Sequence, residues 1–153
     1  MTVAQTAADL HAAIAEGLRL LQPVAEGRTT RRPRPRGWCA REVLGHLIDS
    51  ACNNHRRFVI GQSPETTRFD GYDQNEWVER QRYDLVPWSD LVTLWTAYNR
   101  HLAHVMASTP EETAARMALA PDGAQTVSVA FLMADYVVHL RHHLTQIRQL
   151  LTA

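Results

Sequence analysis

The chain has 153 residues, is 45% hydrophobic, and carries 16 basic against 16 acidic residues, for a formal net charge of zero. That length suits a single domain, residues 1–153, with enough apolar material to build a core without disulfides. Balanced charge offers no global field to nucleic acid or an anionic membrane, and no apolar run could span a bilayer, so neither partner is expected.

Four stretches carry helical periodicity. The first covers about residues 4–22, with Leu10, Ile14, Leu18 and Leu21 on one face before Pro23 and Gly27. Its sequence is amphipathic and lacks the basic start and continuous apolar run of a signal peptide, so a cytoplasmic location is expected. "RTTRRPRPRG", Arg28 to Gly37, holds five arginines and two prolines. A nucleic-acid arm would interleave aromatics with such charge; none are present, so an extended surface connector is the reading.

The second helix covers about residues 39–61, with Val43, Leu44, Leu47, Ile48, Ala51 and Phe58 inward. Cys39 and Cys52 would then lie about 20 Å apart along its axis, too far for a disulfide. Neither belongs to a CxxC pair. All basic side chains are arginine, which excludes a Schiff-base lysine.

Residues 62–87 exceed the usual helix–helix connection. "DQNEWVERQRY" within them fits a short helix. A linker of this length can cross a whole bundle, so the second and third long helices are expected to run parallel. Phe69, Tyr72, Trp77 and Trp88 make this loop the candidate lid over a pocket, with Arg68 as a candidate for an anionic group.

The third helix covers about residues 88–107, with Leu91, Leu94, Trp95, Tyr98, Leu102 and Val105 on its apolar side. The fourth covers about residues 127–151, with Leu132, Tyr136, Leu140, Ile147 and Leu150. No strand alternation and no internal repeat is evident. Val59, Trp95 and Met106 are read as apolar positions that one bundle leaves uncovered, which predicts a homodimer.

"HLRHHLTQI", His139 to Ile147, concentrates three of the eight histidines. At about 100° per residue, His143 lies about 40° from His139, and both fall inside the Leu132–Tyr136–Ile147 stripe. Imidazoles at i and i+4 on a buried face bring four ring nitrogens that need partners in a dry place. Both can reach one divalent ion at about 2.0–2.1 Å. Lone core histidines are the plainer alternative. His142 lies towards the polar edge and is not expected to be a ligand.

A third ligand must come from another helix, and His46 is the best candidate. Ser50 and Asn54 share its side of the second helix, a polar strip beside the apolar stripe that looks like the wall of a cleft. His55 reads as structural, His101 and His104 as reserves, and His11 as a surface residue.

"GWCAREVLGHLIDSACNNHRRF", followed some ninety residues later by "MADYVVHLRHHLTQI", resembles the DinB/YfiT-like superfamily of small four-helix proteins. The residues that carry the resemblance are Trp38, Glu42, Val43, Leu44, His46 and Leu47, then His139, His143 and Gln146. It implies an all-α four-helix bundle with a long crossover between the second and third helices. It implies a three-histidine divalent site at His46, His139 and His143, the set reached above from helix faces. Imidazole ligands suit zinc or nickel, with iron and copper also possible.

The resemblance further implies a metal-dependent enzyme acting on a small molecule. In one form the ion activates water, as in a hydrolase; in the other it activates a low-molecular-weight thiol, as in a transferase or isomerase. A non-catalytic metal-binding or stress-related module is the alternative, and a purely structural helical dimer is a third. Gln146 is a candidate to orient a ligand, and Asp135 to accept an imidazole N–H. One departure is Cys39, where the family often has Ser or Thr; it is a poor helix cap and leaves a thiol at the helix start.

Overall fold

The computed structural model describes residues 1–153. Six helices form: α1 (Val3–Leu21), α2 (Ala40–Ile60), α3 (Gln74–Gln81), α4 (Trp88–Ser108), α5 (Glu111–Ala114) and α6 (Val129–Thr152). The four long ones fall within two residues of their expected bounds, and α3 is the short helix read in the linker. Capping chemistry sets their starts. Thr2 Oγ1 accepts from the Gln5 amide at 3.1 Å while Gln5 Oε1 accepts from the Thr2 amide at 2.8 Å, a reciprocal box. Ser128 Oγ accepts from the Phe131 amide at 3.0 Å and starts α6.

At α2 the Glu42 carboxylate accepts the Cys39 amide at 2.9 Å. Half of a capping box therefore stands, although sulfur is a weak acceptor for the other half. Cys39 is fully buried, and burial pushes its thiol up, the opposite of what a reactive thiolate needs.

Side-chain contacts fix the helix directions. The Trp88 indole N–H donates to the Leu21 carbonyl at 2.9 Å, and the Val3 amide donates to Glu111 at 2.9 Å, so α1 and α4 are antiparallel. Arg41 at the start of α2 donates to the Val86 carbonyl at 2.9 Å, and His55 bonds Tyr98 at 3.1 Å, so α2 and α4 run the same way. Asp9 pairs with Arg141 at 2.7 Å, and Gly17 faces Leu144, so α1 and α6 are parallel. Around the bundle the order is α1, α4, α2, α6, and the consecutive helices α1 and α2 sit on a diagonal. None of the helices is long and apolar enough to cross a membrane.

Two close approaches hold the layers together. A Cβ at Gly17 would lie 2.4 Å from the Trp95 ring, so only glycine lets that ring lie between α1 and α4. Trp95 and Met106 are both 0% exposed. Their expected exposure is thus overturned: α4 packs against α1 on one side and α2 on another, so its buried surface is wider than one stripe. At Gly45 a Cβ would meet the Tyr83 ring at 2.1 Å. That ring clamps residues 81–85 onto α2, with the Tyr83 hydroxyl donating to Asp49 Oδ1 at 2.6 Å.

The arginine-rich connector is tied down at both ends. Arg28 reaches the Leu151 carbonyl, and Arg32 grips Glu42 through two N–H groups at 2.5 and 2.8 Å. Arg41 is buried; it bonds Thr29 at 2.7 Å and pairs with Glu26 at 2.5 Å, locking the connector to the start of α4.

The reading of no strands is corrected. Strands β1 (Met117–Leu119) and β2 (Thr126–Ser128) form an antiparallel hairpin between α5 and α6. Three residues are too few to show alternation, yet Ala118 and Val127 point inward together. Residues 67–69 join its edge, with the Phe69 amide donating to the Leu119 carbonyl at 2.9 Å.

Candidate metal centre and its cleft

Antiparallel packing of α2 on α6 puts His46 opposite the His139–His143 turn. The three imidazoles offer nitrogens that all lie within 4.8 Å of one another. His139 Nε2 stands 3.2 Å from His46 Nε2 and 3.1 Å from His143 Nε2. The rings meet edge to face, with centroids 4.5 to 5.2 Å apart. Trp38 covers the far side of His46, its ring centroid 5.1 Å away.

The outward nitrogens show which way the inner ones face. Gln146 Oε1 lies 2.7 Å from His143 Nδ1, so that nitrogen carries the proton and Nε2 presents a lone pair. Ser50 Oγ lies 3.5 Å from His139 Nδ1. His46 Nδ1 is buried without any partner. Three facing Nε2 atoms cannot all be satisfied by one another, because each contact needs a proton that a neutral imidazole supplies only once. A divalent cation satisfies all three. Two bonds of about 2.0–2.1 Å to nitrogens at the observed separation enclose about 100°, close to tetrahedral. The donor set therefore fits such an ion.

Electrostatics agree. Burial, then His143 and His139, push His46 down to about 3. Burial, then His143 and His142, push His139 down to about 4. His143 is also lowered, chiefly by burial, with the Gln146 bond opposing. The rings are neutral at physiological pH and offer lone pairs without prior loss of a proton.

His142 is exposed and stands outside the cluster, as its helix phase requires. His55 is held by Tyr98 between α2 and α4, and His101 meets it edge to face with centroids 5.0 Å apart, away from the three. Asp135 does not accept from any histidine; Ser50 and Gln146 stand at the Nδ1 positions of His139 and His143 instead.

A cleft of about 310 Å³ opens beside His139 between α2 and α6. Ser50 and Asn54 line it, as the polar strip implied, together with Arg57; Asp135 and Tyr136 face them from α6. Its roof is the hairpin, through Pro121, Asp122 and Gln125. The expectation that residues 62–87 form the lid is therefore corrected. Phe69 and Trp88 are core residues at 0% and 3% exposure, and Tyr72 meets Trp77 edge to face with centroids 5.2 Å apart. Arg68 is exposed beside the hairpin turn and does not line the cleft. Arg57 was overlooked although it lies about 20° from His46 on the helix wheel, squarely on the same strip.

Residues 9–147 match the sequence profile of the DinB superfamily. The chain is 29% identical over 118 residues to "Putative metal-dependent hydrolase YfiT" of Bacillus subtilis (strain 168), covering 76% of this chain and 66% of that protein. It is 27% identical over 117 residues to "Putative metal-dependent hydrolase OB0782" of Oceanobacillus iheyensis, covering 76% and 67%. The match thus spans about two thirds of the length of these relatives. Among solved structures, YfiT of Bacillus subtilis, described as having an unusual four-helix bundle topology, superposes with a TM-score of 0.84 at 22% identity, covering 95% of this chain and 83% of that one. A mycothiol-dependent maleylpyruvate isomerase superposes with a TM-score of 0.79 at 14% identity, covering 96% and 61%. At such identities these two likenesses establish the four-helix fold alone.

Proposed function

Because the chain belongs to the DinB superfamily, we propose that it is a metal-dependent enzyme whose one divalent ion is held by His46, His139 and His143. The convergence of three imidazoles, with His139 Nε2 at 3.2 and 3.1 Å from the other two Nε2 atoms, beside an open cleft that His139 lines, carries this reading. Zinc or nickel suits three imidazoles, and iron is the next choice. Three ligands leave a position open, the mark of a catalytic site. An ion so held supplies Lewis acidity that brings the pKa of water or a thiol towards neutrality.

The protein's own groups then divide the remaining work. Ser50 and Gln146 hold the two α6 imidazoles in the tautomer that donates lone pairs inward. Trp38 excludes water from the back of His46. Asp135, one turn before His139, is the cleft carboxylate nearest to it along α6 and is placed to take a proton from attacking water. That supports hydrolysis, the activity in the names of the curated relatives, here of a small ester or amide. A thiol-dependent transfer or isomerisation is the second form, favoured by the fold shared with the mycothiol-dependent isomerase. The reading also includes a homodimer, now resting on exposed Val59, Leu94, Phe131 and Val138.

Elemental analysis after dialysis tests the site. One ion per chain is expected in the wild type and none in His143→Ala; full retention in that variant rejects the assignment. Turnover of ester substrates that falls in Asp135→Asn marks the hydrolase. Turnover that requires an added thiol and survives that change marks the transferase. A loaded protein inactive in both assays is the non-catalytic module.

A further inference from the structure

The cleft beside the histidines carries its charge unevenly. Arg57 is its only cationic lining residue, while Asp122 and Asp135 line it from the hairpin and from α6. Arg32, Arg41, Arg56, Arg80, Arg82 and Arg141 each pair with a carboxylate. Arg57 does not. Its Nε and Nη2 donate to the Asp70 backbone carbonyl at 3.1 and 2.7 Å, and its Nη1 donates to Asn54 Oδ1 at 3.3 Å. The nearby Asp70 carboxylate is taken by Arg56 at 2.5 Å.

A guanidinium has five N–H groups, so two are left without a protein acceptor. Arg57 is only partly exposed, and burial lowers its pKa. A guanidinium does not lose its proton in a protein, so the charge stays, and no protein carboxylate pairs with it directly. Three neutral bonds aim the group without neutralising it. Arg57 lies seven residues beyond Ser50 and eleven beyond His46 on the same helix face, about 10 Å and about 16 Å along the axis.

We propose that Arg57 is the specificity residue of this cleft, and that the protein's small-molecule ligand carries a carboxylate at the end remote from its reacting group. The two unused N–H groups offer that carboxylate charge-assisted hydrogen bonds. Asp122 and Asp135 repel it from the rest of the cleft, which fixes the ligand's orientation. The reacting end then lies at His139, the member of the histidine cluster that lines the cleft. This inference rests on those histidines holding a metal ion.

Calorimetric titration of the zinc-loaded protein with three hydroxamates tests it. Acetohydroxamate reports chelation alone. Octanohydroxamate and suberic acid monohydroxamate share one chain length and differ in a methyl or a carboxylate end. The carboxylate-ended probe is expected to bind the wild type at least about tenfold more tightly than the methyl-ended one. Arg57→Met and Arg57→Gln should each reduce that ratio to about one without changing acetohydroxamate affinity. A wild-type ratio near one, or a preference that survives both substitutions, overturns the inference and leaves the metal site standing. Failure of the protein to load zinc or nickel overturns the metal reading and this inference with it, and failure of every hydroxamate to bind the loaded protein overturns the open coordination position and this inference.

Discussion

Gln146→Leu isolates the contribution of a residue that touches no ion. Its Oε1 accepts from His143 Nδ1 at 2.7 Å. Without that acceptor the imidazole can move its proton to Nε2, and a protonated Nε2 cannot ligate. Groups in this role typically contribute 10- to 100-fold to metal affinity. His143 and Gln146 are both only partly buried, so water can replace the lost acceptor in part. The lower end is therefore expected, roughly tenfold, or about 1.4 kcal/mol. Competition for zinc with a chromophoric chelator at pH 7.5 measures it. Gln146→Glu supplies a stronger acceptor and should bind at least as tightly as the wild type. A leucine variant within twofold of wild type, or a glutamate variant weaker than the leucine one, would refute the tautomer argument.

The three histidines were legible because helical phase is a rigid constraint: positions four apart on a buried stripe must project together. His46 could be paired with them because its flank, Ser50 and Asn54, is polar where a core face would not be. Arg57 sat at the same phase and passed unnoticed, since an arginine near a helix end is ordinarily solvated. Here Asn54 and the Asp70 carbonyl hold it against the cleft. The hairpin roof was not legible. Its strands are three residues each, and its turn depends on Gly123 at a φ of 74°, a local signal with no periodicity behind it. Misplacing the lid followed directly, because aromatic weight in residues 62–87 serves the core. The burial of Trp95 depends on Gly17 of another helix, and no property of α4 alone reveals that.

His142→Gln should leave metal content unchanged and cost on the order of 0.5 kcal/mol in urea unfolding, because the side chain is exposed and outside the cluster; loss of the ion there would show the helix phase to be wrong. Gly45→Ala should lower stability by about 1–3 kcal/mol, read as a shifted urea midpoint, because the added Cβ meets the Tyr83 ring at 2.1 Å; an unchanged midpoint would mean that residues 81–85 are not clamped on α2. The last expectation concerns acid and the metal-free protein. His46 and His139 titrate at about 3 and about 4 in the fold, against about 6.5 in an unfolded chain. Both folded values are depressed, so below pH 6.5 the unfolded state binds more protons. Their contribution is fully present above that pH and is lost as pH falls towards the folded values. Allowing for relaxation and mutual coupling, the loss should reach about 3 kcal/mol by pH 4.5. Urea midpoints of metal-free protein between pH 7.5 and 4.5 should track that loss, and a His46→Leu, His139→Leu double variant should remove most of the slope. A metal-free protein whose stability holds level across that range would mean that the two imidazoles protonate freely in the fold, and that the site is wetter than its packing implies.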